Sequence, residues 1–266
     1  MTAAGAPPLA GLRVLVTRPA HQSATFCGLL EGAGATPLRL PVIAIEAPAD
    51  GRAARAQISD LSGVDLAIFV SANAVEFSHR LRPMPWPELA AAQIAAIGRA
   101  TAVALEAHGM PAGVVPTTGF DSDALLDMPQ LTDVQHKTAI IFRGKGGRER
   151  LRDKLTARGA RVIYAETYRR LRPVIDAEWL AQALAAGTID ALTASSDAGL
   201  DNLHSLTPEV SRAALLALPL VVNSERNLRR ARALGFNSNV LVPPHPGDRG
   251  QLAALIDWHR NRHRQQ

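Results

Sequence analysis

At 266 residues, with 47% hydrophobic and 20% charged side chains, the chain has globular composition and the length of one large or two ordinary domains. The apolar depletion that marks disorder is absent. The formal net charge is +5 and aromatics make up only 4%; stacking platforms for single-stranded nucleic acid are therefore scarce, nucleic acid is not indicated, and a small polyanionic ligand suits the basic balance equally well. Part of the charge lies in the terminal run HRNRHRQQ, read as a frayed, solvated tail. The opening MTAAGAPPLAGLRVLV lacks a basic n-region and a long apolar h-region, and no stretch nears the roughly 20 apolar residues of a spanning helix, so a soluble, cytoplasmic protein is expected. The single cysteine, Cys27, excludes an internal disulfide and falls in the apolar pattern of a helix, as a buried inert thiol would.

Along the chain, short β-rich runs alternate with helical patterns: LRVLV then HQSATFCGLLEGAG, LAIFV then NAVEFSHRL, QIAAI then RATAVALEAHG. Such alternation predicts parallel sheets with crossover helices, an α/β architecture. Gly34, Gly109, Gly159 and Gly235 stand where helix C-termini are expected. The chain also carries an internal repeat. RVLVTRPAHQSATFCGLLEGAGA, from Arg13, lies over TAIIFRGKGGRERLRDKLTARGA, from Thr138, at an offset of 125 that pairs Arg18 with Arg143 and Gly34 with Gly159. The same offset carries Asp65, Ser71 and His79 onto Asp190, Ser196 and His204; with one or two residues inserted, IGRATAVALEAHG lies over NSERNLRRARALG.

A short polar turn follows each of several strands: Thr17-Arg18, Ser71-Ala72-Asn73, Gly98 to Thr101, Arg143-Gly144, Ser195-Ser196-Asp197, and Asn223 to Asn227, which includes Ser224. Taken singly, each is explained as a helix N-cap. Taken together they form a set of helix N-termini at strand carboxyl ends, where open parallel sheets bind ligands and where N–H groups suit carboxylates or phosphates. The run RGKGGRERL at 143–151 matches neither the nucleoside-triphosphate loop nor the dinucleotide fingerprint, so it reads as a loop opening a charged helix, with Arg143 able to reach a cleft, and no nucleotide cofactor is implied. His259 and His263 have helical metal spacing but no acidic third ligand, and no metal site is expected. The two tyrosines lie in RVIYAETYRRLRP. Tyr164 alternates into the strand as a core residue. Tyr168 stands where the pattern breaks toward Arg169, Arg170 and Arg172; it reads first as an exposed linker residue, and second as a neutral proton donor to a cleft.

Together, VTRPA, SANAV, AIGRATA, GKGGRERLRDKLTARGA, the TYRR segment and ARALGF resemble uroporphyrinogen-III synthase in order and spacing, from about Leu12 to Ala254. The resemblance implies two similar doubly wound parallel-sheet domains joined by a two-stranded connector, the chain passing out and back. The first domain combines 1–40 with 173–266, the second is 47–165, and 41–46 with 166–172 are connector strands. It implies a cofactor-independent cyclising dehydration: hydroxymethylbilane to uroporphyrinogen III, with inversion of the last ring, on the route to haem, sirohaem and cobalamin. By the same resemblance Tyr168 assists departure of the hydroxyl, while Arg18, Ser71, Asn73, Thr101, Ser195 and Ser196 position carboxylate arms. Ser224 and Asn227 stand where relatives keep glycine and threonine, which leaves the role of Asn227 open. A monomer receiving its substrate from hydroxymethylbilane synthase is expected. The rival from another class is a non-enzymatic, two-lobed binding protein for a small anion.

Overall fold

The structure, a computed structural model, describes residues 6–119, 121–147, 149–237 and 239–264. In chain order its first half holds β1 (Arg13–Val16), α1 (Ala20–Gly32), β2 (Thr36–Arg39), β3 (Ala44–Glu46), α2 (Gly51–Gln57), β4 (Leu66–Phe69), α3 (Ala72–Leu81), β5 (Gln93–Ala96), α4 (Arg99–Ala107) and α5 (Ser122–Leu126). The second half holds β6 (Thr138–Gly144), α6 (Arg150–Ala157), β7 (Arg161–Leu171), α7 (Ala177–Ala185), β8 (Ala191–Ala194), α8 (Asp197–Leu206), α9 (Glu209–Ala217), β9 (Leu220–Val222), α10 (Glu225–Ala233), β10 (Val240–Leu241) and α11 (Asp248–Arg264).

The alternation of apolar strand and amphipathic helix produces two compact α/β units, one of Met1–Ala44 with Leu171–Gln266, the other Ile45–Arg170. Each is built on a sheet whose strands run β10-β9-β8-β1-β2 in the first and β3-β7-β6-β4-β5 in the second. Neighbours pair in parallel from β10 to β2 and from β7 to β5. Parallel strands covered on both faces should be apolar throughout, and β4 and β8 are buried at every position. In the first unit one face carries a core built on Leu15, Leu192 and Val222 with Leu200 and Leu215, the other a core of Val14, Val16, Phe26, Leu30 and Leu255. In the second, Phe69, Phe142 and Phe77 lie on one face and Ile68, Ile141, Leu151 and Leu155 on the other.

The repeat is visible in these elements. Shifted by 125, β4 falls on β8 and α3 on α8, boundary for boundary. Yet β1 pairs with β8, and β6 with β4. Each sheet therefore takes strands from both copies of the repeat, and the two sheets repeat one strand order in which β1 corresponds to β6, β2 to β7, β8 to β4 and β9 to β5. The bridge of Ala95 to Val114 beside β5 occupies the place of β10 beside β9.

Gly34, Gly109, Gly159 and Gly235 take left-handed φ of 91°, 72°, 86° and 99° after α1, α4, α6 and α10, ending each helix as expected. Cys27 is buried in α1. The C-terminal segment departs from expectation: residues 259–264 of the basic run continue α11, which is anchored by Leu255, with Leu252 and Trp258 packed on the same core. Three apolar residues at helical spacing outweigh the charge of the last turns. Gln265 and Gln266 lie outside the described residues. No helix among the described residues is long and apolar enough to cross a membrane.

Candidate active site

In each sheet the direction of winding reverses between two central strands, β1 and β8 in the first unit, β6 and β4 in the second. The crevice at the carboxyl ends of such a pair is the usual ligand position in open α/β sheets. The six polar turns fall at strand carboxyl ends, three in each unit, four of them after the switch-point strands and the other two after their neighbours β5 and β9.

In the first unit those turns are largely occupied by the protein itself. Thr17 is buried, and its hydroxyl donates to the Thr193 carbonyl at 2.7 Å. The Arg18 guanidinium pairs with Asp248, donates to Gln251 and lies 4.6 Å from the Phe26 ring centroid, tying β1 to α11. Ser195 is half-buried in its turn, and Ser196 caps α8, its Oγ accepting the Gly199 N–H at 3.1 Å. Ser224 caps α10 by accepting the Asn227 N–H at 3.3 Å and donates to Asn227 Oδ1 at 2.9 Å. The buried Asn227 amide in turn donates to Asp197. That gives Asn227 a structural task, joining the starts of α10 and α8.

In the second unit, Ser71 caps α3, its Oγ accepting the Ala74 N–H at 3.1 Å. Ala72 opens that helix and Asn73 is half-buried in its first turn. Gly98 caps α4 without a side chain, and Thr101 is buried one turn on. Arg143, at the end of β6, is 5% exposed. Its guanidinium bends back onto its own loop, donating to the Gly144 and Gly146 carbonyls and to Glu149 at 3.0 Å, with the Tyr164 ring centroid 4.4 Å away. It holds the glycine-rich loop and borders the cavity described next.

That cavity, of about 350 Å³, is lined by Val70 and Ile97 beneath, by Asp121 and Ser122 at the start of α5, by Arg143 to Gly147, and by Tyr164, Tyr168 and Arg170 of β7. Lys145 and Arg170 border it together with Asp121, while the charge of the buried Arg143 is balanced by Glu149.

Tyr168 is not the exposed linker residue that its charged neighbours suggest: it is 1% exposed. The reason is a bulge in β7. Arg143 pairs with Glu166 but Gly144 pairs with Tyr168, so Thr167 is the extra residue. A bulge reverses the alternation beyond it and re-aims the following side chain. Tyr168 consequently joins Ala165 and Phe142 in one core and packs with its ring centroid 5.9 Å from that of Phe77. Its ring crosses β6 directly over Gly144, where an added Cβ would come within 2.6 Å of Tyr168 Cε2. Only the missing side chain of Gly144 lets the ring pass and reach Ser71, whose Oγ lies 3.1 Å from the phenolic oxygen. On the other side Arg170 Nη2 donates to that oxygen at 3.1 Å. Two residues singled out separately in the sequence, 97 positions apart, are thus brought into contact.

Tyr164 packs against the core of Ile68, Ile141 and Leu151 as expected, but at its edge. It is half-buried, and its hydroxyl donates to Glu149 at 2.6 Å. Burial, then that hydrogen bond, pushes its pKa up to about 12, while the same bond holds Glu149 below the usual carboxylate range. The shifts agree that the proton stays on Tyr164, which makes it a strut of the loop. No group of three or more His, Cys, Asp or Glu able to hold a metal ion occurs among the described residues; the His263 side chain lies outside them.

A family described as "Uroporphyrinogen-III synthase HemD" matches residues 24–252. The chain belongs to the uroporphyrinogen-III synthase family. Among curated members it is 33% identical over 257 residues to uroporphyrinogen-III synthase of Salmonella typhimurium, covering 92% of this chain and 100% of that one. It is also 33% identical to the Escherichia coli K12 protein of the same name over 248 residues, with 92% and 100% covered. A crystal structure of a mutant uroporphyrinogen III synthase from the extremely thermophilic bacterium Thermus thermophilus matches with a TM-score of 0.64 at 24% identity, covering 95% of this chain and 100% of that one, and shows the same fold. The VTRPA, SANAV and AIGRATA segments open at the carboxyl ends of β1, β4 and β5. Arg170, Lys145 and Ser122 border the cavity and were not singled out from the sequence as site residues; the break in the β7 pattern beside Gly144 was the available signal for the first of them.

Proposed function

We propose that this family member closes hydroxymethylbilane to uroporphyrinogen III with Tyr168 as the group that protonates the departing hydroxyl. The observation that carries this is the Tyr168 hydroxyl, held between Ser71 and Arg170 at the wall of a cavity bordered by Lys145 and Arg170 at a topological switch point. Electrons of the terminal pyrrole expel the hydroxyl, Tyr168 supplies a proton, and water leaves. For the inverted isomer the last ring attacks through the carbon that already carries its bridging methylene. The bond from that carbon to the old bridge then breaks, the freed methylene bonds to the same ring's unsubstituted α-carbon, and the proton shed there on regaining aromaticity returns to the tyrosine oxygen. Since the pyrrole supplies the driving electrons, the protein's work is to place one proton donor, fold the chain and exclude wrong closure.

Helix starts at the carboxyl ends of each sheet suit carboxylate arms through backbone N–H groups, those at Ser71, Ala72, Asn73, Gly98 and Thr101 in one unit and at Ser195, Ser196 and Ser224 in the other. The Ser71, Ser196 and Ser224 hydroxyls are engaged in the caps themselves. Helix starts with exposed N–H groups favour anions. In this reading Arg18, Thr17, Arg143 and Asn227 act through the shape of those turns, because their own polar groups are engaged within the protein. The reading extends to a cytoplasmic monomer that takes its substrate from hydroxymethylbilane synthase. Isomer analysis of the product formed from enzymatically generated hydroxymethylbilane tests it. The inverted type III isomer is expected. A protein that merely binds the substrate would leave only the spontaneous, non-inverted isomer.

A further inference from the structure

We propose that Arg170 is the positioning residue of Tyr168, coupling a substrate carboxylate to the direction of the phenolic proton; this rests on the cyclisation proposed above. Beyond the bulge, Tyr168 and Arg170 share one face of β7, as residues two apart on a strand do. The guanidinium carbon of Arg170 lies 5.7 Å from the Tyr168 ring centroid, and Nη2 donates to the hydroxyl at 3.1 Å.

The donor inventory fixes what this contact does. Arginine has donors and no acceptor, so toward Arg170 the Tyr168 oxygen must accept. Ser71 Oγ accepts the Ala74 N–H, which leaves the serine hydroxyl able to donate to the same phenolic oxygen across 3.1 Å. An oxygen receiving hydrogens from both Ser71 and Arg170 turns its own proton elsewhere. Those two donors then stabilise the negative charge left behind when that proton moves to the departing hydroxyl.

Arg170 differs from the other arginines around it. Arg143 borders the same cavity with its guanidinium committed to Gly144, Gly146 and Glu149. Arg169 pairs with Glu46, and Arg172 donates to Asn202. Arg170 is exposed and borders the cavity, and among the described residues its one hydrogen bond is to Tyr168. The rest of its planar fork is available for bidentate contact with a carboxylate. A propionate or acetate arm docked there fixes the guanidinium and so fixes the phenol.

The test compares Arg170→Gln, Arg170→Lys, Tyr168→Phe and Tyr168→Phe/Arg170→Gln with the unmodified chain, using enzymatically generated hydroxymethylbilane. Arg170→Gln is expected to raise KM and to lower kcat by about 10- to 100-fold, with an unchanged melting temperature because the side chain is exposed. Arg170→Lys is expected to restore most of KM through its charge while kcat stays low, since an ammonium cannot hold a carboxylate and the phenol in one planar fork. In the double variant kcat is expected to equal that of Tyr168→Phe alone, because the two side chains act as a unit. Unmodified kinetics in Arg170→Gln, or a double variant losing the full product of the separate kcat losses, would overturn the proposal. Type I product alone from the unmodified chain would instead overturn the cyclisation reading itself.

Discussion

Replacing Gly144 by alanine tests whether the Tyr168 ring depends on the gap in β6. A Cβ there would lie 2.6 Å from Cε2, 2.7 Å from Cζ and 3.1 Å from Cδ2 of Tyr168. Ordinary carbon contacts lie near 3.5–4.0 Å, so the ring or strand has to retreat by roughly 1 Å. The ring has little room to do so, being 1% exposed and packed against Phe77. Overpacking of this kind typically costs about 1–3 kcal/mol. The same retreat carries the hydroxyl away from a 3.1 Å contact with Ser71, and a misplacement of about 1 Å can lower turnover by roughly 100-fold. Gly144→Ala should therefore lower both the urea midpoint and kcat. Adding Gly144→Ala to Tyr168→Ala, where the ring is gone, should lower the midpoint no further, because the two effects share one contact. Gly144 has no positive φ to complicate the result. Unaltered midpoint and turnover in Gly144→Ala, or a full additive loss in the double variant, would refute the reasoning.

Tyr168→Phe removes one hydroxyl while keeping the ring over Gly144; turnover should fall by about 100-fold or more with the melting temperature close to that of the unmodified chain. Unchanged turnover would take Tyr168 out of the mechanism. Asn227→Ala deletes the buried amide that joins Ser224 to Asp197 and should destabilise the protein by about 1–3 kcal/mol in a denaturant titration; an unmoved midpoint would show the bridge to be dispensable. Asp190 is held below the usual carboxylate range, chiefly by the Arg13 side-chain hydrogen bond at 2.8 Å. Its folded pKa is depressed, so its contribution is fully present above the unfolded value of about 3.9 and is lost as pH falls from there through the folded value. Asp190→Asn should flatten that part of the acid limb in a stability-versus-pH series and leave its shape near neutrality unaltered.

What the sequence revealed and what it concealed divide along the range of the interactions involved. The strand cores, the serine caps and the terminal glycines are local devices, each settled by a few neighbouring residues. This is why α3 and α8 could be superposed at an offset of 125 before any pairing was known, and why Ser71 and Ser196 both cap as expected. The sorting of the repeats into sheets is not local. Nothing within RVLV states that its partner is ALTA of the other copy rather than LAIF of its own; only the resemblance to a family whose chain passes out and back carried that information. The composition of the tail points to fraying, whereas its anchors lie upstream, at Leu252, Leu255 and Trp258.

Tyr168 shows the limit most sharply. Its neighbours Arg169, Arg170 and Arg172 argue for exposure, and strict alternation from the buried Ala165 would turn Tyr168 to the opposite face. Both inferences fail at Thr167, where one unpaired residue returns the following side chains to the Ala165 face. A bulge is a property of two strands together, so it leaves only an irregularity in either one alone. The irregularity was present as a broken pattern opposite a glycine on the adjacent strand. Gly144 carries the complementary half of the arrangement: it supplies the space, the bulge supplies the aim, and Ser71 and Arg170 supply hydrogen-bond partners at the end of the ring. Placing one phenolic hydroxyl at the wall of a cavity bordered by Lys145 and Arg170 thus draws on β4, β6 and β7 at once. That dependence explains why a side chain contributing a single hydroxyl is buried as deeply as the core phenylalanines Phe69 and Phe142.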